Sequence, residues 1–419
     1  MIRLERLTIR KFRHAEPCSL ECDPGLNVLL GRNGTGKTTL LELISAIARG
    51  VCDFRDEEAS FDYTGTLASF EDERMSLDAS ITIAKAEPTF SLPSPHTDQR
   101  PPPSFYVRES LTFLSASSET RYEYDSREGK VRILGGKDLS VPAGSTHLDR
   151  IWLTALSLAH EHRGSWEGVF SWYYNGRPVV RFDEAGDYFQ RLVAPSQAPT
   201  RTSPWLIIEA LGPGHRGNSW NLLPFSVVLS VRNLSTVDQP VLVVEGLPFL
   251  SNAARLLGFA KISIWLHQIS KEKRGDADVL TYGSLVFKIS RADGSTIPHD
   301  WLSYGQKRLL AFLYYLELNP EFAIADEIVN GFHDVWIREA LSAIGSRQAF
   351  LTSQNPLLLD HMHFESEETV RSRLLLCDSV SDSCVRWRNM PDAYAQSFYS
   401  ALQVGIQSVS EILRTKGYW

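Results

Sequence analysis

Gly31-Arg32-Asn33-Gly34-Thr35-Gly36-Lys37-Thr38-Thr39 decides how this chain is read. Behind it lies Leu26-Asn27-Val28-Leu29-Leu30, an apolar run that reads as a buried strand ending at Gly31. Ahead of it Leu40, Leu41, Ile44, Ile47 and Ala48 recur at helical spacing, so residues 38–49 read as an amphipathic helix. Strand, glycine-rich turn and helix, in that order, are the context a phosphate-binding loop needs. Glycine takes the dihedrals that turn backbone N–H groups inward around an anion at little cost. Arg32, Asn33, Gly34, Thr35, Gly36, Lys37, Thr38 and Thr39 are therefore the candidate nucleotide-binding residues. Lys37 reads as the cation that reaches the β- and γ-phosphates, and the Thr38 hydroxyl as a Mg²⁺ ligand. The helix aims its positive end at the anion. A glycine-rich turn without a ligand would leave Lys37 unexplained.

A second cluster lies far along the chain. Leu302-Ser303-Tyr304-Gly305-Gln306 opens a helix through Lys307, Leu309, Leu310, Phe312, Leu313 and Leu316. Ser303 is a good N-cap, and a cap alone would explain it as well as a binding motif would. Residues 322–325 then read as a short buried strand running into Asp326-Glu327. Adjacent acids at the exit of an apolar strand are costly unless a cation or partner is near. Asp326 would hold Mg²⁺ through water, and Glu327 would polarise an attacking water. Two solvated acids at a strand end are the plainer alternative. Asn330-Gly331-Phe332-His333 follows, and residues 349–352 form a short strand leading into Ser353-Gln354-Asn355-Pro356.

In this order the motifs resemble those of the ABC ATPases. Within them the pattern is most similar to the RecF/SMC/OLD-type branch, often labelled AAA family. Asp326-Glu327 with Asn330-Gly331-x-His333 resembles that branch's DE-x-x-NGLH element, and Phe12-Arg13 its N-terminal Asn-Phe-Arg segment. These motifs cover residues 1–50 and about 300–365. The resemblance implies an α/β ABC head with a P-loop core sheet, a β-rich lobe and an inserted mixed segment. Here the head would be residues 1–419, the insertion 51–300, and 395–419 a C-terminal helix. It implies ATP and Mg²⁺ as cofactors, ATP hydrolysis, and a facing dimer. In that dimer Ser303, Gly305 and Gln306 of one copy cap the γ-phosphate bound by Lys37 of the other. The switch position, usually histidine, is Gln354. An amide can hydrogen-bond the γ-phosphate or water but cannot carry a proton charge. Ile328 stands where many relatives have proline. The Q-loop glutamine has four candidates, Gln99, Gln190, Gln197 and Gln239, and Arg13 is either a phosphate-approaching or a surface arginine.

Composition bounds the rest. With 419 residues and 43% hydrophobic content, the chain can bury a large core. A net charge of -7 does not announce a nucleic-acid binder, although it leaves room for a local basic face. Cys18, Cys22, Cys52, Cys377 and Cys384 form no CxxC pair and no zinc spacing, so they read as free thiols of a reducing cytosol. Asp360, His361 and His363 lack further ligands at metal spacing. Residues 2–10 alternate like an edge strand and carry no signal-peptide core. No apolar run is long enough for a bilayer, so a soluble, cytoplasmic protein without membrane contact is expected.

Further strands are expected at 80–84, 130–134, 227–231, 241–244 and 285–289, and helices at 147–162 and 249–270. A proline-rich loop is expected at 88–103 and a turn at 173–176. Lys271-Glu272-Lys273-Arg274 reads as a solvated charge run following a helix.

Four roles could use such an engine. A transporter ATPase is disfavoured because its P-loop and signature usually lie much closer together than Lys37 and Ser303. An SMC-like motor needs a coiled coil, and no heptads persist here. A RecF-like ATPase of DNA repair or DNA ends fits the size. So does an ATPase sensor or scaffold of a bacterial anti-phage defence system. OLD-type relatives carry a nuclease after the ATPase, and the chain beyond Pro356 is too short for one. The effector would then be a separately encoded protein.

Overall fold

Val28, Leu29 and Leu30 are at most 1% exposed, so the strand Leu26–Leu30 is covered on both faces. Its continuous apolar run is what such burial demands. The computed structural model describes residues 2–52, 54, 57–68, 74–85, 105–114, 119–134, 136–141, 145–158, 182, 187–194, 198, 203–211, 214–232, 234, 237–353, 357–404 and 409–415. Two compact units divide the chain. The first comprises Met1–Arg181, Ser346–Thr352 and Met362–Trp419, and the second Phe182–Gly345 and Ser353–His361.

In the first unit Leu26–Leu30 pairs in parallel with Gln348–Thr352 on one side and Leu374–Ser381 on the other. Cys384–Asn389 continues the sheet antiparallel to Leu374–Ser381. Asn27 fastens this core, its amide donating to the carbonyls of Asp23 and Ala349. A second, antiparallel sheet of eight strands runs Cys18–Glu21, Ile2–Phe12, Ala59–Ala68, Arg74–Lys85, Phe105–Leu114, Glu119–Asp125, Lys130–Ile133, Leu139–Ser140. This is the β-rich lobe.

Ile2–Phe12 is not an edge strand, because Cys18–Glu21 and Ala59–Ala68 flank it. Alternation reports a half-buried strand but not its place in the sheet. Register shifts at Leu4/Arg6 and Ile9/Lys11 also stretch the spacing of the buried Leu4, Leu7, Ile9 and Phe12.

One polar cluster lies deep in this unit. Arg150, on the helix His147–Leu158, is 2% exposed, and its Nη2 donates to Glu109 Oε2 at 2.5 Å. The Tyr122 hydroxyl also donates to Glu109, and His147 Nδ1 lies 2.9 Å from Glu109 Oε1. His147 Nε2 and the Tyr63 hydroxyl are 2.6 Å apart. Burial by itself would raise the Glu109 pKa. The charges of Arg150 and His147 outweigh it and hold the carboxyl well below the usual carboxylate range.

The second unit carries a six-stranded antiparallel sheet: Gly214–Asn221, Trp205–Leu211, Ala277–Ser290, Lys261–Arg274 and Val241–Val244 lie in that order, and Thr296–Pro298 pairs with Ala277–Ser290. The expected helix 249–270 is replaced by a helix, Pro248–Leu257, and a strand, Lys261–Arg274. Gly258 stops the helix with φ 75, its N–H bonding the carbonyls of Ala254 and Arg255. Beyond it Ile262, Ile264 and Leu266 are buried at strand spacing. The expected strand 227–231 is the helix Phe225–Arg232. A short apolar run has no periodicity that separates the two, and Val227, Val228 and Val231 share a buried helical face.

The charge run at 271–274 ends a strand rather than following a helix. There the Lys271 ammonium pairs with Asp238 at 2.6 Å and Asp278 at 3.3 Å. Back in the first unit, the helices Asp392–Val404 and Val409–Thr415 occupy the region of the C-terminal helix expected at 395–419, of which residues 405–408 and 416–419 lie outside the described residues. Residues 88–103, 159–162 and 173–176, with Gln99 and Gln197, lie outside the described residues.

Candidate functional site

The phosphate loop is shaped by three glycines with φ of 151 (Gly31), 83 (Gly34) and 79 (Gly36). At Gly31 space is as decisive as dihedral, since a Cβ there would lie 2.2 Å from the Cys377 carbonyl oxygen. At Gly36 a Cβ would lie 3.2 Å from both Trp387 Nε1 and Val385 Cγ2. The fully buried Trp387 indole also donates to the Thr35 carbonyl at 3.4 Å. The loop therefore rests on the strands Leu374–Ser381 and Cys384–Asn389, which no residue pattern around the loop foretold.

The Thr35 hydroxyl donates to the Arg32 carbonyl at 2.8 Å and tightens the turn. Lys37 Nζ donates to the carbonyls of Gly31 at 2.7 Å and Arg32 at 3.1 Å. Lys37 is 9% exposed, and among the described residues no acidic side chain pairs with it. An ammonium that buried, facing only carbonyl dipoles, is electrostatically incomplete and suited to an anion. Arg32, Asn33 and Gly34 are at the surface of the loop. Thr38 and Thr39 stand in the first turn of the helix Lys37–Arg49.

Arg13 is exposed at the end of the strand Ile2–Phe12. It pairs with Glu57 at 2.8 Å and with Glu42 of the phosphate-loop helix, which fixes the strand end to that helix. The helix ends at Gly50 (φ 62), where a Cβ would lie 2.6 Å from Leu148 Cβ. The Leu148 N–H donates to the Gly50 carbonyl at 2.8 Å.

The second unit holds the other motifs. Ser303 caps the helix Tyr304–Leu318 in a reciprocal box: its hydroxyl accepts the Gln306 N–H, and the Gln306 side chain accepts the Ser303 N–H at 2.9 Å. Ser303 and Tyr304 are exposed while Gly305 is buried. A Cβ on Gly305 would sit 2.5 Å from the Gly331 carbonyl oxygen, and one on Gly331 would meet the Tyr304 ring. The signature turn and the Asn330-Gly331-Phe332-His333 turn are thus packed on each other through two glycines. The His333 ring lies 4.1 Å from the Trp336 ring, and the Trp336 indole donates to the Leu256 carbonyl.

Asp326 is 8% exposed and Glu327 6%, so the pair is not a solvated strand end. Glu327 has φ 51, an unusual conformation for a residue with a side chain. Sequence reasoning missed Arg308, whose buried guanidinium donates to the carbonyls of both acids' residues. Gln354 lies outside the described residues. Of the Q-loop candidates, Gln190 is exposed on the helix Asp187–Val193 and Gln239 is exposed before the strand Val241–Val244. Neither position identifies a Q-loop.

The cysteines are unbridged. Burial pushes the Cys18 thiol up to about 11 and the Cys22 thiol up to about 12, so neither is an activated thiolate. Among the described residues no cluster of three or more His, Cys, Asp or Glu side chains could hold a metal. His361 instead pairs with Asp334 at 2.8 Å.

Residues 6–87 match the family described as AAA domain. The DNA replication and repair protein RecF of Shigella flexneri serotype 5b is 40% identical over 78 residues, covering 17% of this chain and 22% of that protein. The family match takes in the strand Leu26–Leu30, the glycine-rich loop and the helix Lys37–Arg49. RecF of Magnetococcus marinus is 47% identical over 49 residues, or 12% of this chain and 13% of that protein. The chain thus spans between 13% and 22% of the length of these curated relatives.

Among solved structures, an SmcHead bound to the C-winged helix domain of ScpA aligns with TM-score 0.45 and 11% identity, covering 94% of this chain and 99% of that one. The SMC head domain from Thermotoga maritima gives 0.37 and 11%, with coverage of 93% and 99%. No helix among the described residues is long and apolar enough to cross a membrane.

Proposed function

We propose that this chain binds and hydrolyses Mg-ATP between two copies of itself in the cytoplasm, in a DNA-linked process. The observation that carries the reading is Lys37, a buried ammonium turned onto carbonyls inside a loop whose glycines open toward an anion. RecF relatives, whose name ties them to DNA replication and repair, support the DNA link.

The residues present fit the nucleotide and its metal. The loop N–H groups and Lys37 would hold the β- and γ-phosphates, and Arg32, Asn33 and Thr39 would line the rim of that cradle. The Thr38 hydroxyl and Asp326 carboxylate are hard oxygen donors of the kind Mg²⁺ takes. Bound there, Mg²⁺ would neutralise phosphate charge and hold the anhydride in line. Glu327 would orient and deprotonate the attacking water, and Gln354 would hydrogen-bond it or the γ-phosphate without supplying charge. Ser303, Gly305 and Gln306 of a second copy would cap the γ-phosphate, which suits an exposed serine at a helix start. The head would extend over residues 1–419, with 51–300 as its insertion.

The test uses Glu327→Gln, which keeps the side chain's size but removes the base. It is expected to bind ATP, lose turnover by about 10²-fold or more, and accumulate as an ATP-dependent dimer. Ser303→Arg on that background stays monomeric by light scattering. Double-stranded DNA binding is then measured with and without Mg-ATP at fixed salt, because phosphate contacts depend on it. ATP-dependent binding supports the DNA-linked role. Absence of binding in both states removes it and leaves a protein effector to be sought. Normal hydrolysis by Glu327→Gln would show that another group is the base.

A further inference from the structure

The helix Tyr304–Leu318 is bonded to the strand Phe322–Ala325 at two points on one face. The Tyr315 hydroxyl accepts the Ile324 N–H at 2.8 Å and donates to the Ile324 carbonyl at 3.2 Å. About two turns earlier on that face, Arg308 reaches the residues just beyond the strand. Its Nη2 donates to the Glu327 carbonyl at 2.6 Å and the Asp326 carbonyl at 3.3 Å. Arg308 is 2% exposed, and its guanidinium lies 4.8 Å from the centre of the Phe182 ring. Phe182 brackets the strand from its own side: its N–H donates to the Ile324 carbonyl, and its carbonyl accepts the Asp326 N–H at 2.7 Å.

The turn held in this way is under local constraint. Glu327 keeps its positive φ, and its carbonyl also accepts the Asn330 N–H at 3.2 Å. A conformation of that kind persists only where its surroundings impose it. A planar guanidinium can aim several donors at neighbouring carbonyls, and a lysine's compact ammonium cannot reproduce that fork.

We propose that Arg308 is a positioning residue that fixes the Asp326-Glu327 turn and ties it to the Ser303 cap on the same helix. It sets where the two carboxylates stand by gripping the backbone beneath them. A shift of the helix start at Ser303 would therefore move the acids with it. The consequence for turnover rests on the ATPase reading, while the positioning itself does not.

The test compares Arg308→Lys with Tyr315→Phe. Both remove hydrogen bonds from one helix to one strand, but only the first touches the turn. Amide exchange across residues 326–332, thermal unfolding, affinity for a non-hydrolysable ATP analogue, and kcat are measured on both. Arg308→Lys is expected to exchange at the turn about tenfold faster or more. Its kcat is expected to fall about tenfold or more while analogue affinity stays within about twofold. Tyr315→Phe is expected to lose stability while turn exchange and kcat stay within about twofold. Unchanged turn exchange in Arg308→Lys, or an equal kcat loss in Tyr315→Phe, overturns the proposal. If the unaltered protein hydrolyses no ATP, the ATPase reading fails by itself and the exchange comparison still decides the role of Arg308.

Discussion

Lys37→Ala will lose most of its affinity for ATP while remaining folded. In the protein as it stands, the ammonium is buried and bonded to two carbonyls of its own loop. Those bonds contribute little to stability, because an ammonium without a counter-anion gives up much of its hydration for them. The phosphates offer it full negative charge instead. A hydrogen bond between charged groups is worth about 1.5–3 kcal/mol, so removing each one changes Kd by about tenfold to 150-fold. Calorimetric titration with ATP reads the affinity, and a melting curve reads the fold. Unchanged affinity would remove the phosphate-loop assignment. A collapse of the melting temperature would mean that the lysine is a structural group and that the loss of binding is secondary.

Arg150→Met will be the most destabilising change in the β-rich lobe. It leaves Glu109 charged and buried without its main partner, and breaking such a pair costs about 3–5 kcal/mol. The sign of the pH dependence follows from the depressed Glu109 pKa. A carboxyl whose folded pKa lies below its unfolded value of about 4.3 stabilises the fold above that value. The contribution is lost as pH falls toward the folded pKa. The unaltered protein should therefore lose stability steadily as pH drops below about 4.3. Arg150→Met should show a shallower acid limb, because its Glu109 has lost the cation that depressed it. Denaturant melts at several pH values measure this. Parallel acid limbs would mean that Glu109 is not the group responsible.

Much of the nucleotide loop is legible in the chain's own residues, because glycine spacing and flanking hydrophobic periodicity are local properties. The strand Leu26–Leu30, the helix Lys37–Arg49 and the Ser303 cap each follow from a few adjacent residues. What failed depended on partners distant in sequence. The helix Phe225–Arg232 reads as a strand because Val-Val-Leu-Ser-Val carries high strand propensity, and only the packing of Val227, Val228 and Val231 overrides it. Residues 249–270 fit a helix until Gly258 is seen to terminate one. Arg308 looks like any arginine on a helix, and nothing in its neighbourhood announces that its guanidinium meets the carbonyls of Asp326 and Glu327. Trp387 behind Gly36 is equally silent in the sequence.

The floor of the phosphate loop has a consequence for the order of synthesis. Gly31 packs on the Cys377 carbonyl, and both parallel neighbours of Leu26–Leu30 are translated hundreds of residues after it. A ribosome will have made the whole loop, and most of the protein, before that strand has either partner. Nucleotide therefore cannot act as an early template for folding, since pairings this distant in sequence are among the last to close. Nascent chains arrested before residue 348 should retain no ATP on a nucleotide resin, and released full-length chains should. Retention by the short chains would show that the loop assembles without its floor.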